Sequence, residues 1–168
     1  MKALVLRRHG TLDDLAYDDI PVPSISPRDV LLAVRAAALN RLDLWVIEGW
    51  PALRLQLPHV LGADGAGVIS AVGEEVRNFQ VGDRVAVNPT LSCGVCDFCL
   101  AGRENMCDQF AILGEHVPGF FAEYAAVPAR NLIPLPEHVS FASAAAAFST
   151  DMPRAETIPK VNNRFARL

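Results

Sequence analysis

Residues 62–88 read GADGAGVISAVGEEVRNFQVGDRVAVN, and this stretch decides the class of fold that the sequence predicts. Gly67–Val72 and Arg84–Asn88 are short apolar runs of the kind that favours β-strands. Between them lie glycines and the pair Gly82-Asp83, residue types that supply the backbone conformations of tight turns. The stretch therefore predicts a largely antiparallel meander.

The same signals predict further strands and two short helices elsewhere in the chain. The strands are Lys2–Arg8 and Val30–Ala38, and the helices are Leu42–Ile47, after the N-cap Asn40, and Phe141–Phe148, after the N-cap Ser140. Many short strands with few helices indicate a mainly β fold with short helices, built as a β-barrel or a sandwich.

The glycines of residues 62–67 also invite comparison with a dinucleotide-binding fingerprint. Starting that fingerprint at Gly65 puts Ser70 where its third glycine belongs. The residues that follow favour a strand rather than the helix that the fingerprint requires. We therefore expect these glycines to allow bends and close backbone approach.

The composition is that of a globular domain: 168 residues, 51% hydrophobic, 20% charged, with a formal net charge of -4 and mean hydropathy +0.23. The acidic balance argues against nucleic acid and anionic membrane surfaces as partners. No apolar run approaches the roughly 20 residues of a membrane-spanning helix. Four apolar residues before Arg7 are too few for a signal peptide, so we expect a cytoplasmic protein.

All four cysteines fall in one loop, with the spacing Cys93-x2-Cys96-x2-Cys99-x7-Cys107. C-x2-C spacing lets two thiolates converge on one ion, and four thiolates complete the tetrahedral shell of a Zn²⁺ ion. A shell of four thiolates leaves no open coordination position. The spacing therefore predicts one structural zinc per chain that stabilises the loop without activating water or substrate.

Three other interpretations of the cysteines remain open. An iron–sulfur cluster would continue with about three residues and then Cys-Pro, whereas here seven residues precede Cys107 and Asp108 follows. Disulfides require an oxidising compartment, and a redox-active C-x-x-C is expected beside a βαβ pattern. The sequence favours zinc over each of them.

Motifs over most of residues 1–148 resemble the medium-chain dehydrogenase/reductase family, the zinc-type alcohol dehydrogenases and their quinone oxidoreductase relatives. They are Pro58–Val72 (PHVLGADGAGVISAV), Gly73 with Val76 and Phe79, Gly82–Val85, the cysteine loop, Phe121–Tyr124 and Leu135-Pro136. The resemblance implies a GroES-like, partly open β-barrel over residues 1–148, with a structural zinc lobe at 89–108. It also implies an NAD(P)-dependent oxidoreductase that transfers a hydride to or from a small alcohol, carbonyl, quinone or enone.

The family's catalytic zinc is a separate matter. Its usual ligands are a Cys at the start of the short helix and the His and Glu of a Gly-His-Glu segment, or a more distant residue in place of the Glu. The resemblance puts Asn40, Ala63 and Asp64 at these three positions, so we expect no catalytic zinc there. His59, Asp43 and Asp64 are the side chains that could hold a metal instead.

Loss of that metal shifts the expected chemistry toward hydrogen-bond donors and a conjugated acceptor. The candidate catalytic residues are Asn40, Asp43 and Asp64. Asn40 offers an amide donor to a developing oxyanion, and its role as helix N-cap is an equal alternative. Asp43 is expected to position a neighbouring Arg or backbone group.

Other aromatic and imidazole side chains carry weaker expectations. Trp45 and Trp50 are expected in the core or in a pocket wall. His59 is expected to be buried and hydrogen-bonded, whereas the other histidines are expected to be exposed, with His116 a candidate to approach a substrate cleft. The exposed ones are His9, His116 and His138.

The composition changes after about Thr150. Residues 151–168 hold four basic and two acidic side chains and no glycine, so we expect a divergent, flexible tail at 149–168. A dinucleotide-binding domain needs a βαβ unit of at least ~30 residues with a glycine fingerprint. We expect that domain to be absent, so that NAD(P) binds only with the missing domain and this chain alone is inactive.

The alternative hypothesis is a stand-alone, zinc-stabilised binding module without catalysis. Under either hypothesis, the face that the family covers with its cofactor domain is exposed here. Because an exposed apolar face favours association between copies of a chain, we expect a homo-oligomer through this face.

Overall fold

The described part of the chain contains ten short β-strands and three short α-helices. This computed structural model describes residues 1–147; the tail predicted at 149–168, and the end of the predicted helix at Phe148, lie outside the described residues. The strands are β1 Lys2–Leu6, β2 Leu15–Asp19, β3 Asp29–Ala38, β4 His59–Val60, β5 Asp64–Val72, β6 Arg84–Val87, β7 Thr90–Leu91, β8 Ala111–Ile112, β9 Tyr124–Pro128 and β10 Leu132–Pro134. The helices are α1 Arg41–Glu48, α2 Asp97–Leu100 and α3 Phe141–Ala146, and 3₁₀ turns cover Leu12–Asp14, Glu104–Met106 and Ala129–Asn131.

A five-stranded antiparallel sheet in the order β10-β6-β5-β3-β9 forms the centre of the fold. The predicted antiparallel meander is present as β3, β5 and β6, which lie side by side. β5 begins at Asp64, three residues before the predicted Gly67, because its first residues continue the ladder as far as the pair Ala38↔Asp64. That extension depends on the partner strand, so a reading of the 62–72 segment alone could not locate it.

Two smaller sheets flank the central one. The first has the order β2-β1-β4, and β7 and β8 form the second beside the cysteine loop. The predicted mainly β fold with short helices is confirmed. In the described residues the sheets stay open and do not close into a continuous barrel.

The main core lies on one face of the central sheet. It contains every second side chain of the strands, because successive side chains of a strand point to opposite faces of the sheet. Val30 and Leu32 on β3, and Val85 and Val87 on β6, are each 0% exposed and pack with Phe120. Gly67 lies so close to β3 that a Cβ there would stand 2.3 Å from the Ala33 carbonyl oxygen. The prediction of a structural role for the glycine-rich segment is confirmed.

Helix α1 begins where the sequence places it, at the N-cap Asn40, and ends at Gly49, whose φ of +74° suits glycine. Its buried side packs Val46 and Ile47 against Leu6 and Leu61. Among residues 1–147, no helix is long and apolar enough to cross a membrane.

Candidate functional site

The N-terminus of α1 is closed by a reciprocal capping box. Asn40 Oδ1 accepts a hydrogen bond from the Leu42 N–H at 3.0 Å, and Asp43 Oδ2 accepts one from the Asn40 N–H at 2.8 Å. These bonds satisfy backbone donors that a helix start leaves without intrahelical partners. The capping role of Asn40 is therefore present in the structure.

The remaining atoms of Asn40 face the start of β5. Its Nδ2 donates to Asp64 Oδ2 at 2.9 Å, and Asp64 is 1% exposed. The strand pair Ala38↔Asp64 explains this contact, because it brings the end of β3 beside the start of β5 just before α1 begins. The structure thus joins the side chains of two of the three predicted catalytic residues.

Asp43 lies on the same short helix and points inward, 5% exposed. Its second oxygen, Oδ1, accepts from the Gly62 N–H at 3.2 Å, so one carboxylate ties α1 to the segment that leads into β5. Both partners are backbone groups, one of the two kinds of partner that the sequence predicts for Asp43. Asp43 thus holds Asn40 and Gly62 in fixed relative positions.

Burial raises the pKa of both carboxyl groups above their ordinary value. For Asp43, the N–H donors of Asn40 and Gly62 oppose that effect. For Asp64, the Asn40 amide is the opposing influence on the pKa. The site therefore contains two carboxyl groups that bind protons more readily than exposed aspartates do.

His59 lies in β4 and is 3% exposed, and its Nε2 lies 3.1 Å from the Gly114 carbonyl oxygen. Burial lowers its pKa, as expected for a cation that loses hydration. The prediction of a buried, hydrogen-bonded histidine is confirmed. In the described residues, His59, Asp43 and Asp64 do not form a group able to hold a metal ion.

The four cysteines form a compact cluster, with their Sγ atoms all within 4.8 Å of one another. Cys99 Sγ lies 3.9 Å from Cys93 Sγ and 3.5 Å from Cys96 Sγ. These distances are far longer than a disulfide bond of about 2.0 Å. They match the ~3.8 Å expected between ligands of a tetrahedral ion with Zn–S bonds of ~2.3 Å.

Backbone N–H groups point at these sulfurs from within the loop. Cys93 Sγ accepts from Val95 at 3.5 Å and from Cys96 at 3.3 Å, and Cys107 Sγ accepts from Cys93 at 3.4 Å. The Val95 and Cys96 donors lower the pKa of the Cys93 thiol to about 6. Against a backbone hydrogen bond from Cys99, burial and the neighbouring sulfurs raise the pKa of the Cys96 thiol to about 11. The spacing of the four sulfurs and the N–H donors at Cys93 and Cys107 fit Zn²⁺.

A cleft of about 500 Å³ opens along the exposed side of α1. Trp45 and Trp50 form its walls, one of the two roles predicted for them, and they are 52% and 38% exposed. Leu42, Glu48 and Gly49 complete the helix side, and Glu115 comes from the loop after β8.

Two histidines adjoin this region. The side chain of His116, next to Glu115, is 40% exposed, in agreement with its predicted exposure. The expectation for His9 is wrong: it is half-buried, with Nδ1 2.9 Å from the Val46 carbonyl oxygen.

Glu115 lines this cleft although nothing in the sequence predicts it as a site residue. It is 8% exposed although it lies in a loop. A loop glutamate between Gly114 and His116 gives no periodic signal, and its burial depends on a tertiary contact. Gly114, with φ +79°, packs so closely on the 62–63 backbone that a Cβ would stand 2.5 Å from Gly62.

Residues 26–137 match the family described as the alcohol dehydrogenase GroES-like domain. The match covers most of the chain and includes α1, β5 and the cysteine loop. The chain therefore belongs to the alcohol dehydrogenase GroES-like domain family, as its resemblance to zinc-type alcohol dehydrogenases implied.

Individual relatives agree with this assignment. An L-threonine 3-dehydrogenase of Rhizobium etli (strain CIAT 652) is 34% identical over 142 residues, which cover 83% of this chain and 41% of that protein. The crystal structure of an NAD-dependent alcohol dehydrogenase is 51% identical, with a TM-score of 0.84, over 87% of this chain and 43% of that one. A cobalt- and zinc-bound alcohol dehydrogenase from Pyrobaculum aerophilum is 34% identical, with a TM-score of 0.80, over 88% of this chain and 44% of that one. The chain spans less than half the length of each.

Proposed function

We propose that residues 1–148 form the substrate-side domain of an NAD(P)-dependent oxidoreductase that transfers a hydride to or from a small alcohol, carbonyl, quinone or enone. Membership of the family supports the class of reaction, and the NAD-dependent relative supports the cofactor. A dinucleotide-binding domain outside residues 1–148 would bind NAD(P), which supplies or accepts the hydride. The small-molecule substrate is the partner, and the cytoplasm is the proposed location.

The observation that carries the proposal is the Asn40–Asp64 hydrogen bond at the start of α1. Both residues stand where the family resemblance puts metal ligands, and an amide with a neighbouring methyl side chain, Ala63, makes a poor zinc site. We therefore propose that no catalytic zinc binds here. The Asn40 amide, held by Leu42 and Asp64, donates instead to the oxygen on which charge develops during hydride transfer.

Asp43 acts as a positioning residue in this scheme. It fixes the Asn40 backbone and the Gly62 backbone at once, so the amide keeps one orientation. Donors that are already oriented before the reaction stabilise developing charge without a cost of reorganisation. Asp64, 1% exposed, accepts from the Asn40 amide and holds it from the other side.

The four cysteines are proposed to hold one structural zinc per chain. Their Sγ spacing and the N–H donors around them support this, and the zinc-bound relative agrees. Bound zinc stabilises the fold of the loop, with no open position for substrate. Elemental analysis of the purified chain is expected to give close to one zinc and no iron.

Complementation tests the proposed reaction. The 168-residue chain is produced together with the dinucleotide-binding part of the 51% identical relative, and NAD(P)H oxidation is followed with a panel of enones, quinones, aldehydes and ketones. The proposal predicts activity from the pair and none from either part alone. A zinc-loaded, folded pair that oxidises no NAD(P)H with any of them would favour the alternative, a zinc-stabilised binding module without catalysis.

Asn40→Ser is the matched variant for this test. Serine keeps a cap acceptor for the Leu42 N–H but removes the amide that donates to Asp64. We expect about 10²-fold lower kcat in the complemented pair, the scale of a lost oxyanion donor, with KM changed much less.

A further inference from the structure

The segment that leads into the cysteine loop is held by a turn outside that loop. This is the 3₁₀ turn Ala129–Asn131, which joins β9 to β10. Asn131 Nδ2 donates to the carbonyl oxygens of Asn88 at 2.8 Å and Thr90 at 2.7 Å, and the Asn131 side chain is buried. One buried amide therefore provides donors for two carbonyl groups just before Cys93.

Arg130, the neighbour of Asn131 in this turn, bonds the next carbonyl of the same segment. Its Nη2 donates to the Ser92 carbonyl oxygen. The three bonded carbonyls belong to alternate residues, 88, 90 and 92, as in a strand that is paired along one edge. The two side chains of the turn thus fix the course of the backbone up to the residue before Cys93.

The Arg130 guanidinium also packs on the first turn of the cysteine loop. Gly94 has φ +76°, and a Cβ there would collide with Arg130 Nη1. This backbone conformation suits glycine and leads into the N–H groups of Val95 and Cys96, which donate to Cys93 Sγ. Arg130 therefore contacts the backbone on both sides of Cys93.

We propose that Arg130 and Asn131 are positioning residues for the metal site, which hold Cys93 in place before the ion binds. The inference rests on the proposed structural zinc and goes beyond it, because it makes retention of the ion depend on two residues that provide no ligand atom. A ligand that is already held in place loses less conformational entropy when the ion binds. Removal of groups that orient metal ligands typically weakens metal binding by about 10–100-fold.

The positive charge of Arg130 is a separate effect that a test has to distinguish from positioning. Four thiolates around one Zn²⁺ leave a net negative charge, which any nearby cation stabilises. Arg103 lies within the cysteine loop, exposed like Arg130, with its guanidinium 5.2 Å from the centre of the Phe98 ring. Arg103→Met and Arg130→Met each remove one charge and keep an apolar stem, so they form a matched pair.

Equilibrium competition with EDTA tests the proposal on the purified 168-residue chain, with bound zinc measured after removal of the chelator. We expect Arg130→Met to raise the Kd for zinc about tenfold or more, and Arg103→Met to leave it within about twofold of the native value. A native Kd in Arg130→Met would overturn the proposal. An equal rise in both variants would also overturn it, because charge alone would then account for the effect.

Urea unfolding of the zinc-free chain separates positioning of the loop from general stability. Arg130 is exposed, so we expect the urea midpoint of zinc-free Arg130→Met to equal that of the zinc-free native chain while its zinc affinity falls. A midpoint that falls together with zinc affinity would overturn the proposal, because Arg130 would then stabilise the fold as a whole.

Asn131→Ala tests the buried member of the pair. It leaves the carbonyls of Asn88 and Thr90 without the amide donor, and we expect the Kd for zinc to rise about tenfold or more. A native Kd in this variant would overturn the part assigned to Asn131, and the comparison of Arg130→Met with Arg103→Met stands even if Asn131→Ala fails to fold. A native chain that binds no zinc contradicts the proposed zinc itself, whereas zinc binding that ignores Arg130→Met contradicts only the present inference.

Discussion

At the scale of single residues, the Asn40 side chain makes two hydrogen bonds in the candidate site, one through each of its polar atoms. Its oxygen caps α1 and its nitrogen donates to a buried carboxyl group. A substitution that removes both therefore has two separate effects on stability, a lost cap and a buried acceptor without a donor.

We expect Asn40→Ala to lower the free energy of unfolding by about 2–4 kcal/mol. Loss of the cap contributes about 1 kcal/mol, and the donor lost to Asp64 contributes about 1–3 kcal/mol. Urea unfolding of the zinc-loaded chain measures the difference. Asn78→Ala, at an exposed turn, is the control and is expected to stay within about 0.5 kcal/mol of the native chain; equal losses in the two variants would contradict the assignment.

His59 gives a pH-dependent prediction. Its pKa in the folded chain lies below 6.5 because of burial, so the unfolded chain takes up the proton first as the pH falls. The contribution of His59 to stability is therefore complete above about pH 6.5 and is lost progressively below it, toward the folded pKa.

Unfolding measured at pH 7 and pH 5 checks this sign. The loss of stability between the two values is expected to be smaller in His59→Gln than in the native chain. His138→Gln, at an exposed position, keeps the native loss. If the loss of stability between pH 7 and pH 5 is the same in His59→Gln as in the native chain, groups other than His59 cause that loss.

Some of this site follows from local sequence, and some does not. The capping box was predictable because Asn40 and Asp43 are three residues apart and determine a local hydrogen-bond pattern. The contact between Asn40 and Asp64 depends on a strand pair 24 residues apart, and only the family resemblance placed the two together. Glu115 gave no signal because a close glycine contact buries its loop.

At the scale of elements, the cysteine loop and the strands were predicted for different reasons. The spacing of the cysteines alone determines which side chains can converge on an ion. The strands were found by apolar runs, but their ends depend on pairing: the predicted strand Lys2–Arg8 ends at Leu6, where its ladder with β2 ends at Leu6↔Leu15.

The loop from Cys93 to Cys107 is expected to depend on zinc. Arg103 is the one basic residue in this loop and is exposed, so it reports loop opening to trypsin. A chelator is expected to accelerate cleavage after Arg103 by about tenfold or more, since the thiolates lose the ion that joins them. Mass spectrometry of the fragments measures the rate.

Arg77 provides the internal control for that experiment. It lies in an exposed turn after β5, away from the cysteines, and its cleavage rate is expected to stay the same with and without chelator. Equal acceleration at both sites would mean that zinc stabilises the whole domain rather than the loop.

At the scale of the whole molecule, exposed apolar side chains cluster at the start of α1. Leu39 is 80% exposed and Leu44 is 50% exposed, close to Trp45. Adjacent apolar side chains left in water favour association between copies of a chain.

We expect Leu39→Lys to weaken self-association of the chain about tenfold or more, measured by sedimentation equilibrium. Val95→Lys is the comparison, because Val95 is 77% exposed but lies in the cysteine loop. Dissociation caused by Val95→Lys and not by Leu39→Lys would move the interface to that loop.

The strand order also has a consequence for how the protein is made. β3 is the inner partner of β9, with Asp29 opposite Pro128, so its outer edge stays bare until that later strand has been synthesised. At roughly 5–20 residues per second, a ribosome needs roughly 4–17 s to add residues 39–123 between the two strands. During that interval the nascent chain carries an unpaired, apolar strand edge, which is a template for mispairing.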